Sequence, residues 1–488
     1  MMAISLITIP FLLGLACLVS RNAILRRLLV LAGAAVHLAL TTIAWFGPYI
    51  TAGNEWFALD HTGIIFLSVT SLLFCGASIY GMCYLADEER RHKRRKERSF
   101  FSREAVFCGC LLLFLSTMTA VITSQHLAVL WVGIEATTLA SAPLIYFHRT
   151  KRSLEATWKY LLICSVGIAV ALLGIFFLAV ACDTRGDLIL GKILNNAASM
   201  NIPWLKAAFL LLFVGYGTKM GLAPFHTWLP DAHSEAPSVV SALLSGGLLN
   251  CAFLGLLRVY QVCIGAGLMS YCQDIFIVFG LLSILFAAIF ILGQKDHKRM
   301  LAYSSVEHMG IMTLGLGLGG AAVFGSMINM LGHSLTKAGL FFVAGNILSY
   351  FKTKNIPDIH GLIGGKTRRT GILWMLGFLL ITGTPPSAIF LGKFMILKEA
   401  LFQGRYWITA SFLALLAIVF IGMARIFISM SSGVPDKDKG DALPEGNISS
   451  WRIYIPALFL VLVICLGIYF PDWLARALKI SSKAFGGL

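Results

Sequence analysis

Ionisable side chains occur inside long apolar stretches of this sequence, where a charge has little water to solvate it. Each costs roughly 2.5–3.5 kcal/mol at the centre of a bilayer, so each is expected to have a charge partner or a functional role. Arginine does not release its proton in proteins, so the two arginines are expected to be anchors or fixed charges. The others are candidates for holding and passing protons. The set comprises Glu135, Lys219, His226, Arg258, His308, His333, Lys337, Lys393 and Arg425.

Glu135 and Lys219 are the first two candidates along the chain. Glu135 is the only acid in LAVLWVGIEATTLASAPLIYF (127–147), and its side chain is too short to reach the interface from mid-helix. A lysine removed from water holds its proton less tightly, and a nearby carboxylate restores that hold. We therefore expect Glu135 to pair with Lys219. When Glu135 moves away, Lys219 is expected to release its proton. The alternative is a Lys219 side chain that reaches the interface from a helix end.

His333 and Lys337 lie four residues apart in LGHSLTKAGLFF (331–342), which places them on one face of a helix. Two titratable groups stacked in this way predict successive stations of a proton relay. A lone histidine would more often be a packing residue. His308, with Ser304 and Ser305 one turn before it, is open to both interpretations.

Prolines interrupt two of the apolar stretches, and each of these stretches carries a lysine. The first break follows Lys219 and the second precedes Lys393. Backbone groups freed by such a break are tolerated only where they are buried in protein or line a hydrated cavity. Paired breaks in two halves of a chain are typical of inverted-repeat transporters. His226 and His233 are expected to line the approach to Lys219. The predicted helix breaks are at Pro224, Pro230, Pro385 and Pro386.

The composition indicates an all-α polytopic membrane protein. The chain has 488 residues, of which 58% are hydrophobic and 13% charged, whereas a soluble domain has about 25% charged residues. We expect about fourteen spans, because about 20 apolar residues cross a bilayer. The start, MMAISLITIPFLLGLACLVS, has no basic segment and therefore predicts a first span rather than a cleaved signal peptide.

The net charge of +16 is concentrated in alternate loops, at 21–27, 87–103, 148–152, 294–299 and 351–369. The positive-inside rule places these loops in the cytoplasm, and an even number of spans then leaves both termini outside. This pattern indicates orientation and not a nucleic-acid partner. The basic run at 90–98 is best explained as part of the same signal, although contact with anionic lipid or a partner is the alternative.

No pattern in the sequence indicates a redox centre or a metal site. The eleven cysteines are scattered without a C-x-x-C pair, and no glycine-rich phosphate loop follows a predicted strand. We therefore expect no cofactor, metal or catalytic residue in this chain. A stand-alone enzyme is the least favoured class.

Three long segments carry a family resemblance: GLAPFHTWLPDAHSEAPSVVSALLSG (221–246), QKDHKRMLAYSSVEHMG (294–310) and GHSLTKAGLFFVAGN (332–346). They resemble the antiporter-like subunits of respiratory complex I, a family that includes subunits of Mrp-type antiporters and membrane-bound [NiFe] hydrogenases. LWVGIEATTLASAPLIYFHRTKRSLEATWKYLL (130–162) is most similar to component F of hydrogenase-4-type complexes. The resemblance covers roughly residues 60–430.

The resemblance implies a fold of fourteen helices with two inverted five-helix repeats, each containing one broken helix. The corresponding segments are N-terminal helices and a basic loop at 1–100, the first repeat at 101–265, the second repeat at 266–430, and a C-terminal loop and last helix at 431–488.

Site residues can be carried over by position. Glu135 and Lys219 match the helix-five glutamate and the broken-helix lysine of the family, and Lys393 matches its exit group. His333 and Lys337 match the central relay. Asn250 stands where some members have a lysine, and an asparagine cannot titrate. The link between the two halves must then use water, His333 or another group.

The resemblance also implies an activity and partners. Protons would enter from the cytoplasm near Lys219, pass His333 and Lys337, and leave past Lys393, driven by electron transfer in a partner arm. Ni-Fe and Fe-S clusters are expected in that peripheral hydrogenase or dehydrogenase arm, beside other antiporter-like subunits in a bacterial or archaeal cytoplasmic membrane. The alternatives are an Mrp-type Na+/H+ antiporter subunit and a membrane scaffold that does not pump, which Asn250 would favour.

Overall fold

The computed structural model describes residues 2–47, 55–94, 100–182, 187–433 and 449–487. The regular secondary structure of these ranges is helical. The β-pairing found there is limited to isolated bridges. The side chains at 91–102 lie outside the described part of the chain, so the role of the basic run stays a prediction.

The first part of the chain supplies six long helices and one short one. Helices α1 to α7 span Met2–Val19, Ala23–Phe46, His61–Arg94, Phe100–Thr123, Leu127–Ile145, Lys151–Cys182 and Leu190–Asn195. The middle part contains the first interrupted span. Helices α8 to α14 span Ile202–Met220, Trp228–Glu235, Ser238–Leu243, Leu249–Gly265, Met269–Leu292, His297–Leu318 and Ala321–Phe351.

The last part contains the second interrupted span and a short terminal helix. Helices α15 to α19 span Arg368–Thr382, Ala388–Phe402, Tyr406–Ser431, Trp451–Ile468 and Asp472–Lys483. Eleven helical segments in the described ranges are long and apolar enough to cross a membrane. Helices α13 and α14, with 22 and 31 residues, are long enough but more polar. With the α15–α16 pair they make up the fourteen expected spans, and the prediction of an all-α polytopic membrane protein is confirmed.

Helices α11, α13 and α14 form the centre of the bundle. All of the apolar window within Ser238–Gly265 is buried, as are almost all residues of α13. Helices α1, α2, α6, α12, α17 and α18 bury less than half of their apolar windows and form the periphery. The peripheral helices therefore shield the central polar groups from lipid.

Both predicted breaks occur, and they share one geometry. Helix α8 ends at Gly221 (φ 80°) and α15 ends at Gly383 (φ 86°), in the left-handed conformation that glycine adopts at helix ends. A cis peptide bond precedes Pro224 and another precedes Pro386, three residues after each glycine. The chain then resumes as α9 and as α16.

Pro230 corrects one detail of the sequence analysis. It was expected to break a helix, but it lies inside α9, at the third residue of Trp228–Glu235. The N–H groups of a first helical turn have no partner within the helix, so a proline there removes no hydrogen bond. The break therefore lies between Gly221 and Trp228 alone.

The basic loops gather on one side of the bundle, and the two interrupted spans cross it in opposite directions. Asp296 and Asn355, from two basic loops, form a bridge, and Glu235 at the end of α9 pairs with Lys354 (2.7 Å). The first interrupted span therefore ends on this side, whereas the second begins here, at Arg368. Opposite directions are expected of inverted repeats. The repeat boundaries at 101–265 and 266–430 stay a prediction.

Close contact between α6 and α8 positions the end of α8. A Cβ added at Gly215 would lie 2.5 Å from the Cβ of Ala171 and 2.6 Å from the carbonyl oxygen of Gly167. Small residues at such contacts let transmembrane helices approach closely. The position of the first break therefore depends on the absence of a side chain at Gly215.

We expect Gly215→Ala to destabilise the folded protein by about 1–3 kcal/mol, because overpacking forces α8 away from α6. Gly217→Ala is the matched control on the same helix, since its added Cβ would lie 3.5 Å from the nearest atom, in Leu222. Thermal unfolding of the two purified variants in one detergent measures the difference. Equal unfolding temperatures would contradict this account of the contact.

Candidate functional site

Lys219 lies in the last turn of α8, immediately before the first break. Its ammonium donates hydrogen bonds to the Thr138 hydroxyl (2.6 Å) and the Tyr160 hydroxyl (2.8 Å), and it lies 4.6 Å from the centre of the Tyr160 ring. The C-terminal end of a helix dipole favours a cation, and so does an aromatic face. The break therefore gives a fully buried lysine an environment that tolerates its charge.

Glu135 is near Lys219 but does not bond to it directly. The Thr138 hydroxyl lies between them, 3.5 Å from Glu135 Oε2, and Ser165 donates to Glu135 Oε1 (2.9 Å). The expected direct pair is therefore replaced by a connection through one hydroxyl. A hydroxyl both donates and accepts, so Thr138 can hold the two groups apart and still link them.

Glu135 also faces the periphery of the bundle. It is half-buried, and its neighbours Val132 and Leu139 on α5 are 55% and 62% exposed. An exposed carboxylate at this depth is costly in lipid. The hydrogen bond from Ser165 offsets part of this cost within the chain itself.

His308, His333 and Lys337 form the central cluster between α13 and α14. The two imidazole rings are 4.9 Å apart at their centres, and His308 Nε2 lies 3.1 Å from the carbonyl oxygen of Ile381. The Lys337 ammonium donates to Ser304 Oγ and to the Leu301 carbonyl. The structure thus brings together the three residues that the sequence placed on two separate helices.

Lys393 forms a buried ion pair that the sequence analysis missed. Its ammonium lies 3.0 Å from Glu307 Oε1, and both side chains are almost fully buried. It also donates to the carbonyl oxygen of Thr382, the last residue of α15 (3.3 Å). Glu307 is adjacent to His308 in SSVEHMG, so an acid inside an apolar span was the available signal.

Each of the two interrupted spans brings a lysine close to its break. Lys219 lies in the last turn of α8, and Lys393 reaches the last carbonyl of α15. The Lys393 ammonium thus meets the C-terminal end of the half-helix before its break, whereas the Lys219 ammonium is held by hydroxyl groups of α5 and α6. Such ends coordinate cations in transporters with discontinuous helices.

Asn250 connects the first half to the central helix α14. Its amide donates to Ser334 Oγ (2.7 Å), next to His333, and to the carbonyl of Gly246 (2.6 Å). Its Oδ1 is buried without a hydrogen-bond partner among the described residues. A π-helical turn at Leu244–Leu248 precedes it, a feature that is frequent at functional sites. Asn250 thus contacts the relay helix, although it cannot carry a proton itself.

The two histidines after the first break both lie against aromatic rings, and their expected role in lining the approach to Lys219 stays a prediction. His226 is enclosed by the rings of Phe286, Phe290 and Tyr303, at 5.7, 6.3 and 6.0 Å. His233 stacks on Phe341 at 5.0 Å.

The surroundings of His233 connect it with the second half of the chain. The ring of Phe341 is 5.9 Å from the Lys337 ammonium. Both ring nitrogens of His233 are buried without a hydrogen-bond partner in the described part of the chain. The Phe341 ring therefore connects His233 with the Lys337 ammonium.

A charged cavity of about 480 Å³ opens on the side of the basic loops, directly above α9. Asp231 accepts from Lys159 and Arg299, each at 3.0 Å, and Ser234 donates to Asp296 at 2.5 Å. These residues flank His233 in sequence, so water in the cavity would come close to the central cluster.

Arg258 and Arg425 occupy positions consistent with fixed charges. Arg258 donates to both carboxylate oxygens of Asp60, at 2.5 and 2.7 Å, and joins α11 to the segment before α3. Arg425 is exposed on α17. Among the described residues, no three His, Cys, Asp or Glu side chains cluster as metal ligands would.

Comparison with known proteins identifies the family. Residues 124–420 match the family described as NADH:quinone oxidoreductase/Mrp antiporter, TM. The chain belongs to this family. It is similar to the hydrogenase-4 component F homolog of Methylacidiphilum infernorum (isolate V4), with 34% identity over 430 residues that cover 86% of each chain. The resemblance inferred from the sequence motifs is confirmed.

Chains in solved structures of membrane complexes have the same fold. A chain of the membrane-bound sulfane sulfur reductase, an archaeal respiratory membrane complex, has a TM-score of 0.85 at 20% identity and covers 99% of this chain and 98% of its own. A chain of respiratory complex I from Thermus thermophilus has a TM-score of 0.75 at 25% identity and covers 96% and 97%. The helical membrane fold of this antiporter-like chain therefore extends over nearly its whole length.

Proposed function

We propose that this chain is a proton-translocating membrane subunit of a multi-subunit redox complex of the hydrogenase-4 or complex I type. One observation carries the proposal: a series of buried titratable groups extends from the first break to the second. Family membership and the similarity to a hydrogenase-4 component F homolog support it. Buried ionisable groups inside membrane spans usually mark ion pathways.

Protons enter at the charged cavity on the basic-loop side and reach the central cluster past His233. Water in the cavity supplies them, and the buried ring nitrogens of His233 can take them up. From Lys337 and His333, protons pass His308 and reach the Glu307–Lys393 pair at the second break. Lys393 releases them toward the opposite surface.

The charge of Lys219 regulates proton transfer through the central cluster. The Asn250–Ser334 hydrogen bond joins the first half of the chain to the helix that carries this cluster. When Lys219 is charged, it disfavours a second proton on the central cluster, because like charges repel strongly in a low-dielectric interior. When Lys219 loses its proton, the cluster can accept one. Water or small movements must complete the connection between Lys219 and Asn250, since Asn250 does not titrate.

Glu135 sets the charge of Lys219 from outside the subunit. A neighbouring antiporter-like or membrane subunit covers the half-buried carboxylate on α5. A cation on that subunit would draw Glu135 away from Thr138 and weaken the hold of Lys219 on its proton. In our proposal His226 takes no part in this control, because its ring is enclosed by Phe286, Phe290 and Tyr303.

The redox chemistry belongs to partner subunits. We propose that Ni-Fe and Fe-S clusters lie in a peripheral hydrogenase or dehydrogenase arm and that this chain contributes none. We place the complex in a bacterial or archaeal cytoplasmic membrane with both termini of this chain outside. The common side of the basic loops supports that orientation.

Inverted membrane vesicles that contain the intact complex test the proposal, because their outer face carries the basic loops. We expect electron transfer to acidify the vesicle lumen in buffer without Na+, and a protonophore to abolish the acidification. A pH-sensitive dye in the lumen measures it.

Two other outcomes would replace this proposal. Transport that requires Na+ and proceeds without redox turnover would favour an Mrp-type Na+/H+ antiporter subunit. Full coupling in variants of Lys219, Lys337 and Lys393, together with failed assembly after deletion of a helix, would favour a scaffold that does not pump.

A further inference from the structure

The short terminal helix α19 (Asp472–Lys483) has no part in the proton route. Its 12 residues are about 18 Å long, whereas the hydrocarbon core of a bilayer is about 30 Å thick. It follows α18, which begins near the basic loops, where Arg452 pairs with Asp87 of α3 (2.8 Å). Helix α19 therefore lies at the opposite membrane surface.

One face of α19 packs firmly against the protein. Leu474, Ala477 and Leu478 are buried, and Ser481 shares a hydrogen bond with Thr62 at the start of α3 (2.7 Å). The segment after the helix accepts a hydrogen bond at the Gly486 carbonyl from Gly320, in the α13–α14 turn (3.0 Å). The orientation of the helix about its own axis is therefore fixed.

The remaining surface of α19 has two chemically different parts. Three basic residues, Arg476, Lys479 and Lys483, are exposed and lie within about 60° of one another at 100° per residue. Trp473 and Ile480 lie at one edge of this basic strip and are 50% and 48% exposed. A basic strip beside exposed Trp and Ile is typical of helices that lie in a membrane interface.

Aromatic residues around α19 indicate its depth. The Trp473 ring packs edge-on against Trp45, near the end of α2, with ring centres 4.6 Å apart. Phe46 and Tyr469, beside these two, are 82% and 68% exposed. Trp and Tyr concentrate at the level of the lipid headgroups. The aromatic residues therefore indicate that α19 lies at the level of the headgroups, where its exposed basic strip is available to them.

We propose that α19 binds the headgroup of an anionic phospholipid at the surface opposite the basic loops, with Arg476, Lys479 and Lys483 as its cationic contacts. Charge complementarity favours this ligand. The three cations lie at the surface opposite the basic loops, where Lys and Arg are otherwise sparse, and Asp472 is the only acid in the helix. Each cation near a surface of anionic lipid contributes about 1 kcal/mol of attraction. This inference is independent of the proposed proton transport.

Site-specific crosslinking tests the proposal in the intact complex. Ile480 is replaced by the photoreactive residue p-benzoylphenylalanine, and the complex is reconstituted with alkyne-labelled phosphatidylglycerol or with equally labelled phosphatidylcholine. We expect phosphatidylglycerol to crosslink at least about threefold more, and the preference to fall in high salt. The same replacement at Phe46 is the matched control, because it samples the same interface without the basic strip.

The basic strip is then tested directly in a variant with Arg476→Gln, Lys479→Gln and Lys483→Gln. We expect the preference for phosphatidylglycerol to disappear while crosslinking to phosphatidylcholine remains. Equal crosslinking of both lipids from position 480, with the basic strip unchanged, would overturn the proposal. So would a crosslink from Ile480 to another protein subunit, or a preference that survives the triple substitution.

Discussion

Replacing Lys219 with alanine is expected to lower redox-driven proton translocation by about tenfold or more, with the complex still assembled. The ammonium is fully buried and is held by Thr138 and Tyr160 at the end of α8, and without its change of charge the central cluster no longer alternates between accepting and releasing protons. Proton uptake by vesicles during turnover measures the effect. Quantifying the assembled complex in the same membranes separates transport from assembly.

Lys219→Arg distinguishes a mobile proton from a fixed charge. Arginine keeps the positive charge but does not deprotonate, so we expect translocation to be lost in this variant as well. If only a fixed charge were needed, Lys219→Arg would pump normally and this part of the account would be wrong. Lys206→Ala is the matched control, because Lys206 is exposed on the same helix and lies 5.1 Å from the ring of Tyr271.

The Lys393–Glu307 pair is expected to show a large effect on stability as well as on transport. Removing one partner of a buried pair leaves an uncompensated charge and costs about 3–5 kcal/mol. We therefore expect Glu307→Gln and Lys393→Met each to lower the thermal stability and the yield of the complex. Both variants should also lose most proton translocation, since the pair lies at the second break.

The double variant separates these two effects. Replacing both partners removes the unpaired charge, so Glu307→Gln with Lys393→Met should recover much of the lost stability. Translocation should remain low, because no titratable group is left at this place. Thermal unfolding and vesicle acidification are measured on all four proteins. Additive losses of stability would show that the two side chains do not act as a pair.

The sequence predicted the features that depend on residue type and spacing within a single helix. Lys219 and the prolines after it stand out because a bilayer penalises a buried charge and a broken helix in the same place. The spacing of His333 and Lys337 fixed their shared face before any fold was known. Pro230 was misjudged because the effect of a proline depends on where the next helix begins, which the sequence did not specify.

Contacts between helices were harder to predict. That Thr138 lies between Glu135 and Lys219 depends on how α5, α6 and α8 pack, and hydropathy does not report this. The link between His233 and Lys337 likewise arises from the stacking of His233 on Phe341, 108 positions later in the chain. Glu307 could have been found by treating every acid in a span as a candidate.

The most direct test of the central claim is the number of protons translocated per electron when Lys337 is replaced by methionine. Lys337 lies at the centre of the series, where it bonds to Ser304 and the Leu301 carbonyl, and methionine fills similar space without a proton. The intact complex is reconstituted in vesicles, and acidification is measured together with electron transfer. We predict a lower ratio than in the unaltered complex. An unchanged ratio at normal assembly would contradict the claim that protons pass through this chain.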